Sequence, residues 1–253
     1  GITTQGNTLG DVKVYAIAGA LTVNQAVSTV PAVTTSQVGG TVVLEASGAI
    51  TSAAAGTITT TGATGGATGG NGGEIFIYSS TLGDITLVGN VTSNGGTGTT
   101  LGGNGGVVTV RAVSGDILIQ ATISASGGTG PTAGNGGTVQ LTAAGTGNIT
   151  ENGSGVILAT GAVGGNLAVV SATGHVTLQN AANDVAKVAG LVSVAAKHFY
   201  YTDANALAID TVTKVGALTA VSNVLVLAQP AADSVGITTQ GNTLGDVKVY
   251  AIA

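Results

Sequence analysis

The chain has 253 residues, 44 of them glycine, with 7% charged side chains and a formal net charge of −5. Its six Lys and Arg are scattered singly and cannot neutralise a run of phosphates, which excludes a nucleic-acid partner. The absence of Cys excludes disulfides and thiolate metal sites. Aromatics are only 3% of a chain that is 43% hydrophobic, so its core must use small and β-branched side chains, which suit pleated strands.

Residues 1–18 read GITTQGNTLGDVKVYAIA, and residues 236–253 repeat them letter for letter. Chance does not produce an identity of this length. It marks a tandem array in which 1–235 is one unit and 236–253 opens the next; an engineered overlap would leave the same identity. Gly1 is not a translation start, which fits a piece cut from such an array. Short strands are expected at 11–15 and 20–23, followed by a longer one at 40–46.

A smaller repeat then takes over. Its glycine loops centre on Asn71, Asn104 and Asn135, 33 and 31 residues apart. Alternating strands follow each loop at 74–78, 107–111 and 138–142. A second, shorter strand opens Gly-Asp or Gly-Asn at Gly83, Gly115 and Gly147, and a third runs near 57–60, 91–93 and 123–125. A fixed period in this range means stacked repeats. Alternation points Val42, Leu44 and Ala46 inward, then Ile75, Ile77 and Ser79, then Val108, Val110 and Ala112, then Val139, Leu141 and Ala143. Ile50, Ile85, Ile117 and Ile149 form the inward column of the second strand. Each turn buries its face against the next, so the fold class is all-β, a three-sided parallel β-solenoid with the glycine loops stacked at one corner. A period of two and frequent Gly exclude helices.

Beyond Gly155 the long loops stop. Strands are expected at 156–158, 166–170, 175–178, 191–194, 206–209 and 224–227. No linker interrupts residues 1–253, which read as a single solenoid. No run of about 18 apolar residues exists, so no transmembrane helix is expected.

The patterns GGNGGxVxLxA and GDITL, with NDVAKVAGLVSV and TDANALAI downstream, resemble those of filamentous-haemagglutinin-like surface proteins, the large bacterial β-strand-repeat adhesins. The resemblance covers most of the chain as a style of repeat. It implies a right-handed parallel β-helix, secretion to the cell surface or beyond, and a role as adhesin or surface fibre. It carries no catalytic residues.

The candidate sites follow from the repeat. The loop asparagines Asn71, Asn104 and Asn135 should align as an ordered ridge for lateral contact between fibres. The strand positions Glu45, Tyr78, Arg111 and Thr142 should form an outward ladder, with an exposed Tyr78–Arg111 cation–π contact. Phe199, Tyr200 and Tyr201, the only aromatic cluster, suit stacking on a sugar. No metal or cofactor is expected. The segment 69–77 resembles a calcium nonapeptide with Glu74 for Asp, but Val107 and Thr138 stand there in the other copies, and hard cations need oxygen ligands. No Lys follows a loop as a phosphate site requires; the loop glycines are expected to supply positive φ at corners. Scattered carboxylates and a single Arg argue against an enzyme.

The function expected is therefore that of a non-enzymatic segment of a long extracellular fibre or giant surface protein, with further copies end to end as partners. An adhesin segment binding carbohydrate is the alternative. The second terminal copy should meet the same face as the first, one unit on. About ten turns per unit would advance the axis by about 50 Å.

Overall fold

The computed structural model describes residues 1–4, 10–32, 36–194, 196–212, 237–239 and 247–251. Among them there is no helix. Strands pair in parallel into three sheets, the first of nine strands, the second of eight and the third of six. The chain enters on β1 (Ile2–Thr3) and then makes five complete turns. These are β2 (Val12–Ala16), β3 (Leu21–Val23) and β4 (Val27–Ser28); β5 (Thr41–Ala46), β6 (Ile50–Ser52) and β7 (Ile58–Thr59); β8 (Glu74–Ser79), β9 (Ile85–Leu87) and β10 (Val91–Thr92); β11 (Val107–Ala112), β12 (Ile117–Ile119) and β13 (Thr122–Ser124); β14 (Thr138–Ala143), β15 (Ile149–Glu151) and β16 (Val156–Leu158). Two further turns follow, with β17 (Asn166–Ser171) and β18 (Val176–Leu178), then β19 (Lys187–Val192) and β20 (Phe199–Asp203). Beyond them lie β21 (Ala208–Ile209), β22 (Ile237–Thr239) and β23 (Val247–Ala251). The first sheet collects the leading strand of each turn, the second the middle one and the third the last.

Register explains the core. One inward column of the first sheet runs Val12, Val42, Ile75, Val108, Val139, Leu167, Val188. The column of small residues runs Ala16, Ala46, Ser79, Ala112, Ala143, Ser171. In the second sheet Leu21, Ile50, Ile85, Ile117, Ile149, Val176 and Phe199 stack in line. All but Leu21, at the first turn, are buried, and like meets like from turn to turn. Each such aliphatic side chain contributes about 1.5–3 kcal/mol by leaving water.

The last turns differ from the expectation. The strand expected at 191–194 is β19, which starts earlier, at Lys187, because it must pair in full with β17. Phe199, Tyr200 and Tyr201, expected to stack on a sugar, belong to β20, a strand of the second sheet. Gly190 makes room for it: a Cβ there would stand 2.2 Å from Phe199 Cε2. Among the described residues the third sheet ends at β16, and Asp184 bridges to Leu158 in place of another strand. The strand expected at 224–227 lies outside the described residues.

The duplicated segment gives the largest correction. Both copies form strands at the same places in their sequence, but on different faces. Ile2–Thr3 is in the third sheet and Ile237–Thr239 in the first; Val12–Ala16 is in the first and Val247–Ala251 in the second. Either comparison gives an offset of seven turns and one further face. At ~4.8 Å per turn the unit advances by about 35 Å, not 50 Å. The expectation of ten turns overlooked how many residues the loops absorb. Val-Lys-Val alternation fits either sheet, because both carry aliphatic inward columns.

Candidate functional site

The glycine loops are two-armed fins built on the third corner, at residues 60–73, 93–106 and 125–137. Their arms interleave between turns. Ala63 N–H donates to Gln37 O, Gly70 to Ala63, Gly96 to Gly70, Gly103 to Gly96, Gly128 to Gly103 and Gly134 to Gly128, all at 2.7–2.9 Å. The backbones approach so closely that a Cβ on Gly103 would lie 1.9 Å from Gly70 O, and one on Gly134 1.9 Å from Gly103 O. Close approach, not positive φ, is thus the reason for these glycines. Positive φ among the described residues is confined to Gly19, Gly65, Gly153 and Ala196.

The fin carries the asparagines in register. Asn104 N–H donates to Asn71 Oδ1 at 2.8 Å, Asn135 N–H to Asn104 Oδ1 at 2.9 Å and Val163 N–H to Asn135 Oδ1 at 3.2 Å. All three asparagines are exposed. Their side-chain oxygens therefore bind the turns together, and the exposed asparagines form a row spaced by one turn.

A second ladder, which sequence reasoning missed as a ladder, climbs the corner before the second sheet. Asp116 N–H donates to Asp84 Oδ1, Asn148 N–H to Asp116 Oδ1, His175 N–H to Asn148 Oδ1 and His198 N–H to His175 Nδ1. The 32-residue recurrence of Asp84, Asp116 and Asn148 was its signal; the histidines continue it where the spacing changes. The His175 and His198 Nδ1 atoms lie 2.8 Å apart, so one ring donates to the other. His198 stacks on Tyr200 at 4.0 Å and 13°, and Lys248 Nζ lies 4.9 Å from the Tyr200 ring. Burial and the nearby Lys197 lower the pKa of His175.

This strand corrects the sugar-stacking expectation. Phe199 and Tyr201 are both 0% exposed and belong to the core; only Tyr200 faces outward, and it is already stacked on His198. Alternation forbids three consecutive aromatics from sharing one face. Tyr201 O–H donates to Asp203 Oδ2 at 2.7 Å, and that oxygen also accepts from Val185 N–H. Burial and the Asp203 carboxylate push the Tyr201 hydroxyl pKa up.

Below it lies the one inward carboxylate in the column Leu87, Ile119, Glu151. Glu151 Oε2 accepts from Asn180 N–H at 3.1 Å and Asn183 Nδ2 at 2.9 Å, whereas Oε1 is buried and has no partner among the described residues. Asn183, fully buried, accepts from Ile157 N–H through Oδ1 and so stands in for the missing third-sheet strand. Burial pushes the Glu151 pKa up to about 7, against the two hydrogen bonds that lower it. A pocket of about 440 Å³ opens beside it, lined also by Asn152, Thr177, Gln179 and Asn180. The sequence signal was a Glu where GDITL and GDILI carry an inward aliphatic.

Glu45, Tyr78, Arg111 and Thr142 stack in one outward column of the first sheet. The Arg111 guanidinium lies 5.3 Å from the Tyr78 ring centroid. The ladder is not solvent-exposed as expected: Glu45 is 1%, Tyr78 7% and Thr142 6% exposed. The reason is a second apolar layer outside the sheet, where Val43, Phe76 and Tyr78 cluster with Tyr15 and Val113. Burial raises the pKa of Glu45. Among the described residues no three His, Asp or Glu converge as a metal site. The chain matches no protein-family model, no curated protein and no solved structure.

Proposed function

We propose that this chain is a non-enzymatic structural segment of a long extracellular or cell-surface fibre made of tandem solenoid units. The observation that carries the reading is the use of the duplicated segment at both ends. Val12–Ala16 pairs with the turn that follows it, and the identical Val247–Ala251 pairs with the turn that precedes it. One sequence thus has a strand partner on each edge, which is what a junction between consecutive units requires. Further copies, covalent or docked, are the partners. The resemblance to filamentous-haemagglutinin-like proteins supports the surface location, and the exposed asparagine row supplies a lateral contact between fibres.

The test is labelling of intact cells of the source with antibody against residues 1–235. Regularly spaced label along filaments outside the cell is the expected result. Label that appears only after lysis, or as single unspaced particles, overturns the reading.

A further inference from the structure

The two copies of the duplicated segment occupy neighbouring faces, not the same face. This fixes how one unit meets the next. Val247–Ala251 extends the second sheet by pairing with β20: Phe199 with Val247, Tyr200 with Lys248, Tyr201 with Val249, Thr202 with Tyr250 and Asp203 with Ala251. The identical Val12–Ala16 begins the first sheet by pairing with β5. Likewise Ile237–Thr239 extends the first sheet on β19, whereas Ile2–Thr3 begins the third on β4. Val14 and its counterpart Val249 both pack, partly buried, on the hydrophobic core, from opposite ends.

We infer that consecutive copies of this chain stack with a rotation of one face, about a third of a turn, so that the second sheet of one unit runs on as the first sheet of the next and the first runs on as the third. This rests on the end-to-end reading above and adds its geometry.

Strand lengths agree with this register. Second-sheet strands have three residues from β3 to β18, but β20 has five, as do Val12–Ala16 and Val247–Ala251. First-sheet strands have six residues from β5 to β19; the next position is split between pieces of two and three, the lengths of third-sheet strands. β20 pairs with β18 over three residues and with Val247–Ala251 over five, so the second sheet lengthens where the second copy docks. At the other end, the first turn is open, with a cavity of about 210 Å³ lined by Ile2, Val14, Leu21, Val23, Val27 and Leu44. With each unit advancing about 35 Å, the pattern returns after three units, about 105 Å, and the glycine fins wind round the fibre instead of lining one side.

Because the chain has no cysteine, paired cysteines report the register without background. Adjacent parallel strands bring partner Cα atoms ~4.8 Å apart, within the ~4.4–6.8 Å that a disulfide spans. Tyr200→Cys with Lys248→Cys tests the rotated register. Ala189→Cys with Lys248→Cys tests the unrotated one, because Ala189 continues the first-sheet column of Lys13, Val43, Phe76, Thr109, Gln140 and Ala168. Thr202→Cys with Tyr250→Cys repeats the rotated test away from the His198 stack. Each protein is first checked for unchanged strand content when reduced. Intramolecular closure on mild oxidation is expected for the 200/248 and 202/250 pairs and not for 189/248. Closure of 189/248 alone, or of both registers equally, overturns the rotation and leaves end-to-end stacking standing. Closure of none overturns both.

Discussion

The third to fifth turns and the sixth and seventh turns of this solenoid are stabilised by opposite means. In the former, the backbone does the joining. Fins zip arm to arm, glycine columns exclude any Cβ, and asparagine oxygens accept amide protons one turn apart. In the latter the fins are gone and polar side chains inside the solenoid replace a strand. Asn183, Glu151 and Asp203 accept the amide protons of Ile157, Asn180 and Val185, and Tyr201 O–H holds the Asp203 carboxylate in place. The contrast teaches that a repeat can lose one of its three strands provided buried side chains take over its hydrogen bonds, because unpaired buried polar groups are costly.

The largest effect should come from the glycine columns. Gly103→Ala forces a Cβ to within 1.9 Å of Gly70 O and should cost about 3 kcal/mol or more, since backbone must move. Gly153→Ala, in a turn at φ +62° with nothing within 4 Å, should cost only about 1 kcal/mol. Urea unfolding compares them; equal costs would show that the fins do not depend on close approach.

Glu151 gives the turns without fins a pH dependence. Its pKa of about 7 in the folded chain lies above the ordinary 4.5, so the folded state holds the proton more tightly. The stability this gives is complete below pH 4.5 and is lost as pH rises to about 7, with a total of about 3 kcal/mol. Glu151→Gln should abolish that slope and be the more stable protein at pH 8. A slope that survives the substitution would assign the effect elsewhere. Next in size, Asn104→Ala removes the acceptor for Asn135 N–H and should cost about 1 kcal/mol without changing strand content by circular dichroism.

The histidine pair should give the smallest change. The His175 pKa is lowered from 6.5, so its contribution is present above that pH and lost as pH falls through the lower folded value. This slope opposes that of Glu151. His175→Asn keeps a side-chain acceptor for His198 N–H and should remove the acid loss; hydrogen exchange of His198 N–H reads it locally.

The sequence made the fin-bearing turns legible because period and alternation repeat there: the inward columns of the first sheet, the stacked asparagines and the Tyr78–Arg111 pairing all follow from a 31–33-residue spacing. Burial of that pairing did not follow, since alternation tells which face a side chain takes but not whether a second layer covers it. The later turns were less legible because their signals are compensations. Gly190 is small for the sake of Phe199, and Glu151 stands where its neighbours are aliphatic for the sake of Asn180 and Asn183. Each reads as an irregularity until its partner is placed. The 18-residue identity revealed a junction but not its face, since an alternating strand carries no mark of which flat sheet it extends.

The most direct test of stacked units is helical reconstruction, by electron cryomicroscopy, of a chain carrying four or more consecutive copies of residues 1–235. The expected result is one continuous solenoid that advances about 35 Å per unit with a third of a turn between units. Separate bodies joined by unstructured chain, or units at unrelated angles, would contradict it.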